Sequence, residues 1–302
     1  MDVDPFSDIL TLTNAEAIVT GGFTAGGPWA IRFPGRDKIK FFAVLKGTCT
    51  VSLEGEAEAV QFTAGDVGLL AVERGFVLSS HPNVAAVDAA RLFSEAGRTE
   101  AVIGDGADFA HIGGHVFLDP IRGRLLADIL PPWLHVKASA PEAAVFRLLL
   151  ERLIEERAQN QPGGRLAARQ LTQLLFIQIL RAHLKDADRT PSGWLRALGD
   201  RRIAPALRLM HGDPARAWHL EDLASACAMS RTTFTVHFKA AAGVAPLAYL
   251  SEWRMRLAER ALRDHVTPVA TIARSLGYTS ESAFSTAFKR FSGEAPRMYR
   301  AK

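Results

Sequence analysis

The sequence predicts an α+β chain of two domains. A β-barrel or jelly roll followed by helices comes first; an all-α domain follows, with two helix-turn-helix motifs joined by a long helix. Three observations carry this. Short apolar runs broken by glycines fill the first third. Helical periodicity takes over near Pro141 and persists to the end. Two stretches, MSRTTFTVHFKAAAGVAPLAY from Met229 and TSESAFSTAFKRFSGEAPRMY from Thr279, share Ser, Phe, Phe-Lys, Gly, Pro and Tyr at the same spacings.

The β reading rests on KFFAVLKGTCTVSLEG, where β-branched and aromatic residues are punctuated by Gly47 and Gly55. AVQFTAGDVGLLAVERGFVLSSHP continues in short strands broken at Gly65, Gly68 and Gly75, the turn rhythm of a small barrel. This domain is expected over residues 1–140. A helical pair follows over 141–185: Pro141 to Ala158, then Arg165 to Lys185, separated by QNQPGG. The second helix is apolar over more than one stripe, at Leu171, Leu174, Leu175, Ile177, Ile179 and Leu180. A stripe that wide needs cover on two sides. Two readings stay open: the β domain on one side with a second copy of the chain on the other, giving a homodimer, or burial wholly within one subunit. KDADRTPSG reads as a linker, placed at 186–193, and the helical domain as 194–302.

In composition, 48% hydrophobic and 23% charged residues over 302 positions allow a sizeable core and exclude wholesale disorder. No apolar run approaches the roughly 18 residues of a membrane span, and the acidic start MDVDPFSDIL lacks a leader pattern, so a cytoplasmic protein without membrane attachment is expected. Cys49 and Cys227 make no disulfide framework or metal spacing. Charge is uneven: from Leu195 onward 17 Lys/Arg stand against 9 Asp/Glu, a net of +8, whereas the remainder has 19 against 23, a net of −4. A basic rear half on an acidic front half points to a polyanion partner.

The repeat says which polyanion. Before each stretch lies a short helix with apolar residues at i, i+3, i+4 and i+7: Leu220, Leu223, Ala224 and Cys227, then Val269, Ile272, Ala273 and Leu276. A tight turn follows, with Ser230 or Ser280 placed to cap a further helix. That helix buries Phe234 and Phe238, or Phe284 and Phe288, and Gly243 or Gly293 reverses the chain after it. Helix, tight turn and short helix with a small polar outer face make a helix-turn-helix. The candidate contacts to double-stranded promoter DNA are Arg231, Thr232, Thr235, Val236 and Lys239 in the first copy. In the second they are Glu281, Ser282, Ser285, Thr286, Lys289 and Arg290. Pro246 to about Asp264 forms a connecting rod of about 28 Å. Successive major-groove faces lie about 34 Å apart, so one chain can read two segments of a site.

From about Leu195 to Arg300 the chain resembles the DNA-binding domain of AraC/XylS transcription regulators, most specifically in IARSLGYTSESAFSTAFKRFSGEAPRMYR. The front half looks like the cupin-type sensor of one branch of that family. The resemblance implies a regulator that answers to a small-molecule effector, and that meets RNA polymerase if it activates. Family members often carry Arg two residues before each second phenylalanine; here those positions hold Val236 and Thr286, so no guanine contact carries over. A site read through methyls and phosphates is expected instead. Glu281 is expected to cap its helix start rather than read a base. Ala228 stands where the second copy has Gly277, a strain on the first turn.

The alternative is a cupin-fold small-molecule enzyme with a helical accessory domain. Metal-holding cupins place two His and a Glu on a strand pair and a later His. The first strand region here, RDKIKFFAVLKG, has no histidine, and His81 stands alone after GDVGLL. HIGGH offers His111 and His115, but its glycines suggest a turn. No metal, cofactor or catalytic residue is expected, and no Walker, dinucleotide or Gly-x-Ser-x-Gly motif is present. A third reading makes the β domain a dimerisation scaffold only. An effector pocket in that domain is expected to draw on Phe41, Ala43 and Leu45, or on their neighbours Phe42 and Val44; alternation does not decide between the sets. Lys40 or Arg74 could pair with an acidic effector, against solvation at the surface as the bland alternative.

Overall fold

A computed structural model of the chain describes residues 3–35, 39–56, 58–71, 74–93, 99–119, 126, 130–159, 161–185 and 192–300. The chain divides into two compact units. A β unit is built from Glu16–Phe117 and Leu130–His183, and a helical unit from Met1–Ala15, Leu118–Ile129 and Leu184–Lys302. Most of the expected linker, residues 186–191, lies outside the described residues. Helix α1 (Pro5–Thr13) opens the chain and belongs to the helical unit, although the sequence reading placed all of 1–140 in the β domain.

The β unit carries β1 (Glu16–Ala25), β2 (Ala30–Phe33), β3 (Ile39–Lys46), β4 (Thr48–Leu53), β5 (Ala59–Thr63), β6 (Val67–Leu70), β7 (Phe76–Ser79) and β8 (Val87–Asp88). Helix α2 (Ala89–Leu92) follows, then β9 (Glu100–Ile103), β10 (Phe109–Phe117) and β11 (Trp133–Val136). They form two sheets, ordered β11-β6-β3-β10-β1-β9 and β5-β4-β7-β2-β8. Phe23, Phe42, Phe62, Phe76, Leu78 and Phe109 pack together as the core between them. Every residue of β3 from Ile39 to Val44 is buried, so the strand shows no period of two.

HIGGH is not a turn. His111 to His115 lie in the middle of β10, paired to β1 on one side and β3 on the other. Glycine is needed there for close approach. A Cβ on Gly113 would stand 2.9 Å from the His111 ring, and one on Gly114 would stand 2.6 Å from the Phe41 ring. The glycines let neighbouring rings lie flat on the sheet.

Asp66, at the turn into β6, ties the far edge together. It accepts from the backbone N–H of Thr63 at 3.0 Å and of Ala138 at 2.7 Å, and lies 2.9 Å from His135 Nε2 on β11. Burial pushes its carboxyl up, but the two N–H donors and His135 outweigh that and hold it below the usual value of 3.8.

Helices α3 (Ala143–Gln159) and α4 (Gly164–Leu184) complete this unit. One stripe of α4, with Leu175, Phe176, Ile179 and Leu180, is buried. Gln173 accepts from the Ala17 N–H at 2.9 Å, fixing α4 to β1. Val145, Leu148, Ile154, Leu166 and Leu174 remain exposed on the pair.

The helical unit contains α5 (Trp194–Gly199), α6 (Ala204–Gly212), α7 (Leu220–Ala226), α8 (Arg231–Ala242), α9 (Pro246–Arg263), α10 (Val269–Ser275), α11 (Glu281–Ser292) and α12 (Pro296–Arg300). Two cores share α9. Its first half gives Tyr249, Leu250 and Trp253 to a cluster with Phe234 and Phe238; its second gives Met255, Ala258 and Leu262 to a cluster with Phe284 and Phe288. Burying a large apolar side chain contributes roughly 1.5–3 kcal/mol, so α9 is held as a rod by both ends. Buried Glu259 accepts from the Tyr299 hydroxyl at 3.2 Å, tying α9 to α12, and burial raises its carboxyl despite Arg256 nearby.

Ile9 and Leu12 of α1 join the first of these cores, beside Trp194 and Phe234. Asp8 Oδ2 lies 3.1 Å from His211 Nδ1, and His211 Nε2 lies 3.0 Å from the Tyr249 hydroxyl. The His211 ring stacks on Trp253 at 4.1 Å. Burial keeps this histidine's pKa below its usual value, although Asp8 pulls the other way.

Candidate nucleic-acid interface

Both expected motifs are present, and they share the same capping and packing positions. In α7–α8 and in α10–α11 a short helix packs through Leu223 and Ala224, or Ile272 and Ala273, against a second helix that buries two phenylalanines. Ser230 accepts from the Thr233 N–H at 3.2 Å, and Ser280 from the Ala283 N–H at 3.1 Å. Each second helix ends on a left-handed glycine, Gly243 at φ 77° and Gly293 at φ 82°. The turns differ: Ala228 and Met229 separate Cys227 from Ser230, whereas Gly277, Tyr278 and Thr279 separate Leu276 from Ser280. Ala228 takes φ 53° where Gly277 takes φ 80°, so the alanine holds a conformation that disfavours a Cβ.

The candidate contact residues fall on one outer face in each copy. Arg231, Thr232, Val236 and Lys239 are exposed on α8 and Thr235 is half-buried; Ser282, Thr286, Lys289 and Arg290 are exposed on α11, with Glu281 and Ser285 half-buried. Val236 is 66% exposed. The exposed Thr286 donates its hydroxyl to Ser282 O at 3.0 Å. Thr235 likewise donates to Arg231 O at 2.9 Å. Arg231 pairs with Glu221 at 3.0 Å, but both side chains are more than 60% exposed, a weak tether that a phosphate can replace.

The cap expected of Glu281 falls to Ser280 instead. Glu281 pairs with Arg297 at 3.4 Å, because α12 brings that guanidinium across the start of α11. Two supporting residues have no obvious sequence signal. His237 Nε2 lies 2.8 Å from Asp200 Oδ2, fixing α8 to the turn between α5 and α6. Arg254 donates to Pro214 O at 2.6 Å and Arg216 O at 2.9 Å, holding the approach to α7 against α9.

The β unit holds a separate cavity of about 380 Å³. Phe41 and Phe42 line it, with Lys40, Phe33, Phe76 and His111; Ala43 and Leu45 do not. Ala43 is fully buried and Leu45 half-buried. Arg74 lies at the surface, paired with Glu56 at 3.4 Å. Among the described residues no group of three or more His, Cys, Asp and Glu side chains is gathered as a metal centre would need. Nor is any helix among them long and apolar enough to cross a membrane.

Two matched helix-turn-helix motifs on one rod, in a chain that also carries a two-sheet β unit, define a two-part DNA-binding protein. Known proteins agree. Residues 4–185 match the Cupin family and residues 223–302 a Helix-turn-helix domain. A Streptomyces lividans protein described as an AraC-like transcription regulator is 40% identical over 298 residues, 99% of this chain and 98% of that one. The HTH-type transcriptional regulator AlkR of Acinetobacter baylyi is 30% identical over 285 residues, 91% of each. The solved DNA-binding domain of AdpA, in complex with a target DNA, is 30% identical over 34% of this chain and 92% of that one, with a TM-score of 0.32. The chain belongs to the AraC-like family of transcription regulators.

Proposed function

We propose that this regulator reads two successive major-groove segments of a promoter site, one with α8 and one with α11. The observation that carries this is the shared rod. Phe234 and Phe238 on one side and Phe284 and Phe288 on the other are fully buried in cores that α9 joins, so both second helices are presented by one rigid element. At 1.5 Å per residue its length is about 27 Å, close to one turn of duplex.

Lys239, Lys289, Arg290 and Arg231 supply phosphate contacts; Val236 and the Thr286 methyl face thymine methyls. The cavity of the β unit takes the effector, and the exposed apolar residues of α3 and α4 pair two copies into a homodimer. An activating member of this kind would also touch RNA polymerase. The chain acts by binding, not by turnover, in keeping with relatives named as transcription regulators.

Fluorescence anisotropy of the full chain on duplexes from upstream of its own and neighbouring genes, against a random duplex, tests the reading. Preferential binding should fall steeply with salt, with a log–log slope of roughly −0.9 per phosphate contact. Equal weak binding to every duplex would sink it.

A further inference from the structure

The repeat contains a tyrosine in each copy, and each ties its reading helix to an aspartate from the front of the chain. Pro246 and Pro296 open α9 and α12, and Tyr249 and Tyr299 stand three residues further on. Tyr249 meets the Phe238 ring edge-on at 5.6 Å and 80°; Tyr299 meets Phe288 at 5.2 Å and 83°. All four rings are buried. Each phenylalanine follows by two residues the outward side chain of its helix, Val236 or Thr286. In a close-packed core a displaced ring displaces its neighbour, so the place of each tyrosine bears on a reading face.

Both hydroxyls lead on to a carboxylate. In the first motif His211, in the last turn of α6, lies 3.0 Å from the Tyr249 hydroxyl and 3.1 Å from Asp8. Burial keeps this imidazole neutral near pH 7. A carboxylate only accepts, so Nδ1–H donates to Asp8 and Nε2 accepts from the tyrosine hydroxyl. In the second motif Arg263, in the last turn of α9, donates through Nη1 to both Asp119 oxygens at 3.1 and 3.2 Å, and through Nη2 to the Tyr299 hydroxyl at 3.3 Å. The Asp119 and Arg263 side chains are 12% and 26% exposed, so solvent screens this pair only in part. Asp8 lies on α1 and Asp119 two residues beyond the end of β10, and both belong to the helical unit. The Asp119 N–H donates to Thr13 O at 3.1 Å, joining the two front segments to each other.

We propose that Asp8 and Asp119 are positioning residues for DNA reading, one for each motif: Asp8 sets α8 through His211 and Tyr249, and Asp119 sets α11 through Arg263 and Tyr299. The matched geometry of the two relays carries this. Apolar packing alone would seat the phenylalanines. It does not call for both tyrosine hydroxyls to lead, through a basic side chain at the end of the preceding helix, to aspartates 203 and 144 residues upstream of those basic side chains. The assignment rests on the reading of one segment by α8 and the next by α11.

The test uses the full chain and short duplexes that each hold one segment of the preferred site. Asp8→Ala should weaken binding to the α8 duplex roughly five- to twentyfold and leave the α11 duplex within about twofold; Asp119→Ala should do the reverse. The unaffected duplex shows in each case that the variant is folded. Urea unfolding supplies a readout without DNA. Asp8→Ala and Tyr249→Phe together should cost less than the sum of the two, as should Asp119→Ala with Tyr299→Phe, whereas Asp8→Ala with Tyr299→Phe should add. Equal weakening on both duplexes, or additivity within each relay, overturns the proposal. A wild type that prefers neither short duplex to a random one removes the two-segment reading, and the reading role of both aspartates with it, even where the unfolding cycles show the relays.

Discussion

His237 Nε2 and Asp200 Oδ2 stand 2.8 Å apart, one on the first recognition helix and the other on the turn between α5 and α6. Both side chains are less than a quarter exposed, so solvent screens the pair only in part. Neither residue faces outward with the candidate base contacts; the pair sets where those contacts point. Asp200→Ala should therefore weaken binding to every duplex by a similar factor, roughly five- to twentyfold, without changing base preference. A competition series with single base-pair changes checks this: an altered preference would make Asp200 a reader and not a support.

Ala228 and Gly277 occupy equivalent turns, at φ 53° and φ 80°. Ala228→Gly should stabilise the helical unit by up to about 1 kcal/mol, since the left-handed region costs an alanine about that much. Gly277→Ala should destabilise it by considerably more, because a Cβ there would lie 2.1 Å from Ala215 O as well as adopting the disfavoured φ. Thermal melts of the two variants, followed at a helical wavelength, should shift in opposite directions.

Val236, two-thirds exposed, is the residue in the first motif best placed to meet a thymine methyl. Val236→Ser should lose roughly fivefold in affinity at the thymine positions it covers and nothing elsewhere. Val236→Arg should move the preference at the same position to guanine, worth roughly 1–3 kcal/mol. Selection from a randomised duplex pool would reveal either change; an unaltered selected site would remove Val236 from the interface.

Asp66 gives the β unit an acid-sensitive joint. Its folded-state pKa is lowered by the Thr63 and Ala138 N–H groups and by His135, which together overcome its burial. Stability from this group is therefore complete above the usual aspartate value of 3.8 and lost as pH falls through the lowered folded value. Urea melts from neutral pH to about pH 2 should show that loss in the wild type, and Asp66→Asn should flatten the slope while lowering stability at neutral pH.

How far the sequence revealed the molecule depended on how local each signal was. The two motifs were legible because Phe234/Phe238 and Phe284/Phe288, the Ser caps and the Gly stops all belong to one helix and its two ends, and repetition doubled the signal. HIGGH misled because glycines usually mark turns; the rings of His111 and Phe41 and the Ile18 carbonyl, all close to where a Cβ would stand, explain them. The pocket alternation on β3 could not be read because the strand is buried on both faces from Ile39 to Val44. Lys40 was in view as a partner for an acidic effector, but its place beside Phe76 comes from pairings thirty or more residues distant. His237 and Asp200 lie 37 residues apart, beyond any periodic pattern.

Helix α1 places Ile9 and Leu12 inside the core that also contains the first recognition helix. The backbone passes between the units at Ala15–Glu16, Phe117–Leu118, Ile129–Leu130 and His183–Leu184. Topologically, then, the β unit is not a front half followed by the helical unit; it is set into the helical unit in two pieces, one after α1 and one after Leu118–Ile129. A DNA-binding module cut out at a single point would leave behind part of its own core, exposing the apolar seat of α1 on α6 and α9. Exchanging the β unit alone therefore takes a junction at each of these four crossings, with the opening helix staying with the DNA-binding end.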